Sequence, residues 1–304
     1  MPIYNWYKYR EFIKGKIFPL INLFIELLLI IRWQKVMKIY FYYLFFIILN
    51  FNFLYSNSFK ALTIEYNNIL EKYYSGDINN NLVLKDKSDY INFYMDKFKT
   101  LDKKLKSFKD TRKKYLVSII NFQIASMAQG LNVKNFYDSY SIFLSAKSDL
   151  LDFISSQLFK DCQKSVRSDS YRVLGDLNLS ILRYTGGMKL VKISNEAKNA
   201  LTKSLEIDNK NVFANISLAT WHLYFSRIVG GGNFEKAIEF LQKALKYSKR
   251  NLEKYLTNVW LSQGYFRLKK ENEYKKHLKE AKNIFPNGLF HKIVIERNNL
   301  GELP

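Results

Sequence analysis

The side chains able to do covalent or metal chemistry are few in this chain, and they stand apart. Cys162 is the single cysteine, so neither an internal disulfide nor a thiolate metal cluster can form. His222, His277 and His291 are the three histidines, and no two share the four-residue spacing that puts a pair of imidazoles on one helical face. No serine, histidine and acid arrangement has motif context. The segment "RIVGGGNFEKA" at 227–237 invites a phosphate reading, because glycines before a helix N-terminus bind anions. A nucleotide loop needs Lys-Ser/Thr after the glycines or a strand before them. Here Asn233-Phe234 follows and an apolar helix precedes, so the expectation is a turn between helices with Asn233 as cap. The chain reads as no enzyme, with no catalytic residues, no metal ligands and no cofactor.

The elements that hold these residues are helices. Four prolines and twelve glycines in 304 residues leave long stretches without a breaker, which favours helices over a strand-rich sandwich. Hydrophobic content of 48% supplies a sizeable core and excludes wholesale disorder. The net charge of +21 raises a nucleic-acid surface as one reading. The lysines are scattered along every helix, which is the pattern of a solvated surface, and nucleic acid is not the expected partner.

Two apolar runs open the chain. Ile17–Ile31 carries Pro19 and Glu26 and is shorter than the about 20 residues a spanning helix needs. The second, "MKIYFYYLFFIILNFNFLYSNS" from Met37, has a basic head, an apolar middle and small residues at Ser56-Asn57-Ser58. Residues 37–58 therefore read as a signal peptide or membrane anchor, and 1–36 as a non-translated extension or a first membrane segment. The expected location is periplasmic or exported, with cleavage near Ser58; the alternative is anchoring in the inner membrane. If the leader stays, the amino-terminal segment is the membrane contact.

Beyond it the body divides into a helical region at 59–110, a degenerate helical hairpin at 111–160, a repeating region at 168–288 and a tail at 289–304. Three helices in the repeating region share one pattern: a first residue, a leucine four later and a small residue three after that. These are Ala197/Leu201/Ser204, Ala237/Leu241/Ala244 and Tyr274/Leu278/Ala281. The spacing puts each set on one face, where small residues let a neighbouring helix approach closely. Each is preceded by a helix with its own pair: Leu174-Gly175, Leu218-Ala219 and Leu261-Ser262, the last followed by Tyr265.

These residues resemble tetratricopeptide (TPR) repeats, helix-turn-helix units of 34 residues. "SLEIDNKN" at 204–211 is similar to the family's repeat end with Asn209 in the proline slot, and Pro286 keeps that slot in the last repeat. The family's tryptophan early in the first helix is missing, and of the Leu-Gly pairs only Gly175 survives. The segment "GGG-x-x-EKA" also resembles the T component associated with tripartite (TRAP) solute transporters.

The resemblance implies an all-α helical-hairpin superhelix of three to four repeats with long inter-helix loops. It further implies a concave groove lined by the first helix of each pair. By position that groove presents Arg172, Asp176 and Leu179, then Ile216, Thr220, Leu223 and Tyr224, then Val259, Gln263, Phe266 and Arg267. The repeat-packing set is Gly175, Ala197, Leu201, Ser204, Ala219, Ala237, Leu241, Ala244, Tyr265, Leu278, Ala281 and Pro286. The expected function is a scaffold for a protein or peptide partner. The rivals are a small-molecule-binding component of a solute uptake system and a membrane-tethered protein contacting nucleic acid or anionic lipid.

Overall fold

A computed structural model describes residues 59–76, 87–107, 112–131, 136–225 and 231–300. The leader at 37–58, the extension at 1–36 and most of the glycine-rich loop at 226–230 lie outside the described residues. Among the described residues every regular element is helical. In chain order they are α1 (59–75), α2 (Lys87–Lys106), α3 (Lys113–Leu131), α4 (Phe136–Ser155), α5 (Gln157–Lys160), α6 (Lys164–Ile181), a 3-10 turn at Leu182–Tyr184, and α7 (Gly187–Ile207). Then come α8 (Val212–Tyr224), α9 (Phe234–Tyr247), α10 (Asn251–Arg267), α11 (Glu271–Ile284) and α12 (Leu289–Asn299). None of these helices is long and apolar enough to cross a membrane.

The helices pack as four hairpins: α3 with α4, α6 with α7, α8 with α9, and α10 with α11. Lys114 near the start of α3 bonds Asp152 near the end of α4 at 3.0 Å, so that pair is antiparallel. In the next pair Ser168 and Ser204 exchange hydrogen bonds through side chain and carbonyl at 2.7 and 2.9 Å, again start to end. First helices touch first helices along the stack, and each second helix touches the first helix of the following pair. This is a TPR-like superhelix of four hairpins, the first of them at 113–155.

The two kinds of helix bury different amounts, and the sequence shows why. Helix α9 is amphipathic: Ala237, Ile238, Leu241 and Ala244 face inward while Lys236, Glu239 and Lys243 are exposed. Helix α8 buries ten of its thirteen residues, because it has neighbours on every side. Close approach is decided at Gly175, where an added Cβ would lie 2.6 Å from Leu201 of α7. Ala197, Leu201, Ser204, Ala219, Ala237, Leu241, Ala244 and Ala281 are buried, whereas Tyr265 and Leu278 are half-buried and Pro286 is exposed. Tyr265 lies flat on His277, ring centroids 5.4 Å apart. The expected tail contributes helix α12, anchored where the Tyr255 hydroxyl accepts the His291 backbone N–H at 3.1 Å.

Candidate functional site

The first helices α6, α8 and α10 carry the inner face. On α6, Asp169, Arg172 and Asp176 follow one another at three and four residues, so their side chains share a face. Arg172 donates to Asp169 twice, each at 2.8 Å, and to Asp176 at 2.9 Å. Tyr115 of α3 donates to the second Asp169 oxygen at 2.6 Å. Burial pushes both carboxyls up. At Asp169 the guanidinium and its hydrogen bonds outweigh burial and hold the group below the usual range. At Asp176 burial wins, partly offset by Arg172 and a hydrogen bond from Ser217, and its affinity for a proton rises.

Two guanidiniums flank Phe213 of α8, Arg172 at 5.7 Å and Arg250 at 5.6 Å from the ring centroid. Arg250 precedes α10 and donates to Glu253 at 2.7 Å. The inner face at this end is thus an aromatic ring between two cations, each held by carboxylates.

This face does not stand open: α1 lies on it. Tyr66 is buried, and the charges of Arg172, Asp169 and Arg250 and the Gln123 side chain of α3 act on its hydroxyl. Asn67 accepts from Arg250 at 2.9 Å. The Tyr74 carbonyl and the Tyr255 hydroxyl both close on Gly288, and the Gly76 turn rests on the backbone of Asn287. At the opposite end the Arg112 guanidinium sits 4.8 Å over the Phe59 ring. Helix α1 therefore runs from the start of α3 to the loop before α12, across the first helices of the stack.

The groove residues expected from position fall into separate roles. Arg172 and Asp176 come together as an ion pair under α1. Ile216, Leu223 and Val259 are buried, and Leu179 is half-buried. Leu223 and Gly264 approach each other between α8 and α10. Thr220 is half-buried and turns back to the Ser217 carbonyl at 2.8 Å. Phe266 packs on Tyr274 of α11, centroids 5.4 Å apart, rather than lining the groove. Tyr224 and Arg267 meet, the guanidinium 5.7 Å from the ring centroid, and Trp260 closes on Tyr224 at 5.9 Å. Gln263, one turn from both Trp260 and Arg267, is completely buried. Among the described residues neither of its amide atoms has a hydrogen-bond partner, nor do the Tyr224 hydroxyl and Arg267 Nε.

Sequence reasoning missed Asp169, Tyr115, Phe213, Ser217 and Arg250. The three-and-four spacing of Asp169, Arg172 and Asp176 was a signal available for the ion triad. For the occupant the signal was the four-residue stripe Leu62, Tyr66, Leu70 and Tyr74.

The remaining chemical candidates are packing groups. His222 is buried between Phe240, stacked at 5.8 Å, and Trp221 at 5.0 Å. Burial, with Lys236 and Lys198 nearby, pushes its pKa down to about 4. Asn233 accepts the Lys236 backbone N–H at 2.9 Å, the capping role its position suggested. Among the described residues no group of His, Cys, Asp and Glu is placed to hold a metal ion.

No protein-family model matches the chain, and no curated protein matches it. Among solved structures it is similar to TTC0263, a thermophilic TPR protein of Thermus thermophilus. That likeness has 12% identity and a TM-score of 0.46, over 67% of this chain and 88% of that one. It is also similar to MamA, at 14% identity and a TM-score of 0.36, over 66% of this chain and 96% of that one.

Proposed function

We propose that this protein is a non-enzymatic helical-repeat scaffold that binds a protein partner, working on the exported side of the inner membrane. One observation carries the scaffold reading: the inner face of the hairpin stack already grips a helix, α1, through its apolar and tyrosine stripe. A surface built that way recognises helices by side-chain stripes rather than by chemistry at a reactive group. The exported location rests on the leader grammar of 37–58. Amino-terminal sequencing of the mature protein with cell fractionation tests it; a terminus near Phe59 in the periplasm is expected, and an intact Met1 in the cytosol would overturn it.

The partner is tested by crosslinking tagged full chain in its own cells and identifying what is captured. A single recurring protein is expected, with capture weakened by Tyr224→Ala and by Arg267→Glu. Absence of any recurring partner would sink the scaffold.

A second reading, a ligand-binding component of a solute uptake system, is favoured by a different observation. Gln263, Tyr224 and Arg267 hold four buried polar atoms without partners at one end of the inner face, which is the condition a polar small molecule relieves. A small molecule retained through purification of wild-type protein and lost from Gln263→Leu supports it.

A further inference from the structure

Helix α1 sits on the repeat stack as a peptide ligand sits in a groove. Its inward stripe, Leu62, Tyr66, Leu70 and Tyr74, recurs every four residues; the first three are buried and Tyr74 is half-buried. Its opposite face is open, with Lys60, Ala61, Ile64, Asn68 and Lys72 exposed and Ile64 at 50%. Helix α2 packs along the flank of α1 and not over that open face. Tyr66 of the stripe meets Phe98 at 5.7 Å and Tyr73 stacks on Tyr90 at 5.9 Å, and a cleft of about 380 Å³ remains between the two helices beside Ile64, Glu65, Phe93 and Lys97.

The charges beneath α1 do not depend on it. Arg172 satisfies Asp169 and Asp176 within its own helix, Tyr115 and Ser217 complete those carboxylates, and Arg250 keeps Glu253. Removing α1 therefore leaves no buried charge orphaned. One polar link from α1 to the inner face is the Asn67–Arg250 hydrogen bond. Its stripe contacts are apolar and aromatic, which another helix of like pattern can replace.

We infer that the inner face is the docking surface for an amphipathic partner helix carrying the same four-residue leucine and tyrosine stripe, with α1 as the resident occupant it exchanges with. This rests on the scaffold reading and names its partner's chemistry. Because α1 is tethered, a free helix binds only when α1 is off, and its apparent affinity is scaled by that fraction.

The probe is a labelled synthetic peptide of residues 59–75, titrated against full chain by fluorescence anisotropy. Three forms of the protein are compared: wild type, Asn67→Ala, and a locked form. The lock is Asn67→Cys with Arg250→Cys in a Cys162→Ser background, bridged by a bis-maleimide. Binding is expected to be weak to wild type, roughly tenfold tighter to Asn67→Ala, and lost in the locked form but present before bridging. Tyr66→Ala is a second release variant, compared after circular dichroism shows native helix content. A peptide with Tyr66 and Leu70 replaced by alanine should not bind. Equal binding to locked and unlocked forms, or none to any form, would overturn the exchange. Capture of a protein partner that persists in the locked form would overturn it too, while leaving the scaffold reading standing.

Discussion

Arg172 is the residue on which the inner face turns, because one buried guanidinium serves two half-buried carboxylates that would otherwise repel each other. Arg172→Met should destabilise the protein by about 3–5 kcal/mol, the range for stripping a buried pair of one partner, measured by urea unfolding. Gln263 makes the opposite case. Both its amide atoms are buried without partners, so Gln263→Leu removes an uncompensated desolvation cost. A gain of about 1–2 kcal/mol is expected, and a loss would show that the amide is satisfied in solution. His222 gives a pH signature. Its folded pKa, about 4, lies below the ordinary 6.5, so the unfolded chain takes the proton first. The stability it supports is complete above about pH 6.5 and drains as pH falls toward 4. Denaturant melts across that window should fall, and His222→Phe should flatten part of the fall. His277 and His291, shifted the same way by burial, add to the fall.

At the scale of the element, helix spacing is set by missing side chains. Gly175→Ala drives a methyl into Leu201 and should cost about 1–3 kcal/mol as α6 and α7 part. Gly186→Ala is the matched control, since nothing lies within 4 Å of its added Cβ; thermal melts of the two should differ clearly. Helix α8 begins at a cap that pattern reading passed over. Asn211 accepts the Ala214 backbone N–H at 3.0 Å and also donates to Ser168 Oγ at 2.9 Å. It thereby ties the start of the third hairpin to the second. Capping signals were readable at Asn233 because glycines isolate it. At Asn211 the same residue type is lost among the neighbouring polar residues of "DNKN".

At the scale of the molecule, the stack closes around a helix from its own amino-terminal side. Hydrogen exchange should show α1 opening at lower free energy than α6, α8 and α10; amides of 59–75 protected as strongly as those of α8 would mean it never leaves. The hairpins were legible because their determinants are local: a leucine between two small residues within eight positions specifies one helix face, whatever lies elsewhere. Burial of the groove was not, because it depends on a contact 183 residues apart between Asn67 and Arg250. No periodicity encodes that separation. From sequence, Arg172 and Gln263 read as surface residues of a concave groove; in the fold the first is a buried counter-ion and the second a buried, unpaired amide. The sequence by itself determined an all-helical repeat chain. Only the tertiary structure decided that its groove is occupied, since occupancy belongs to the packing of distant helices.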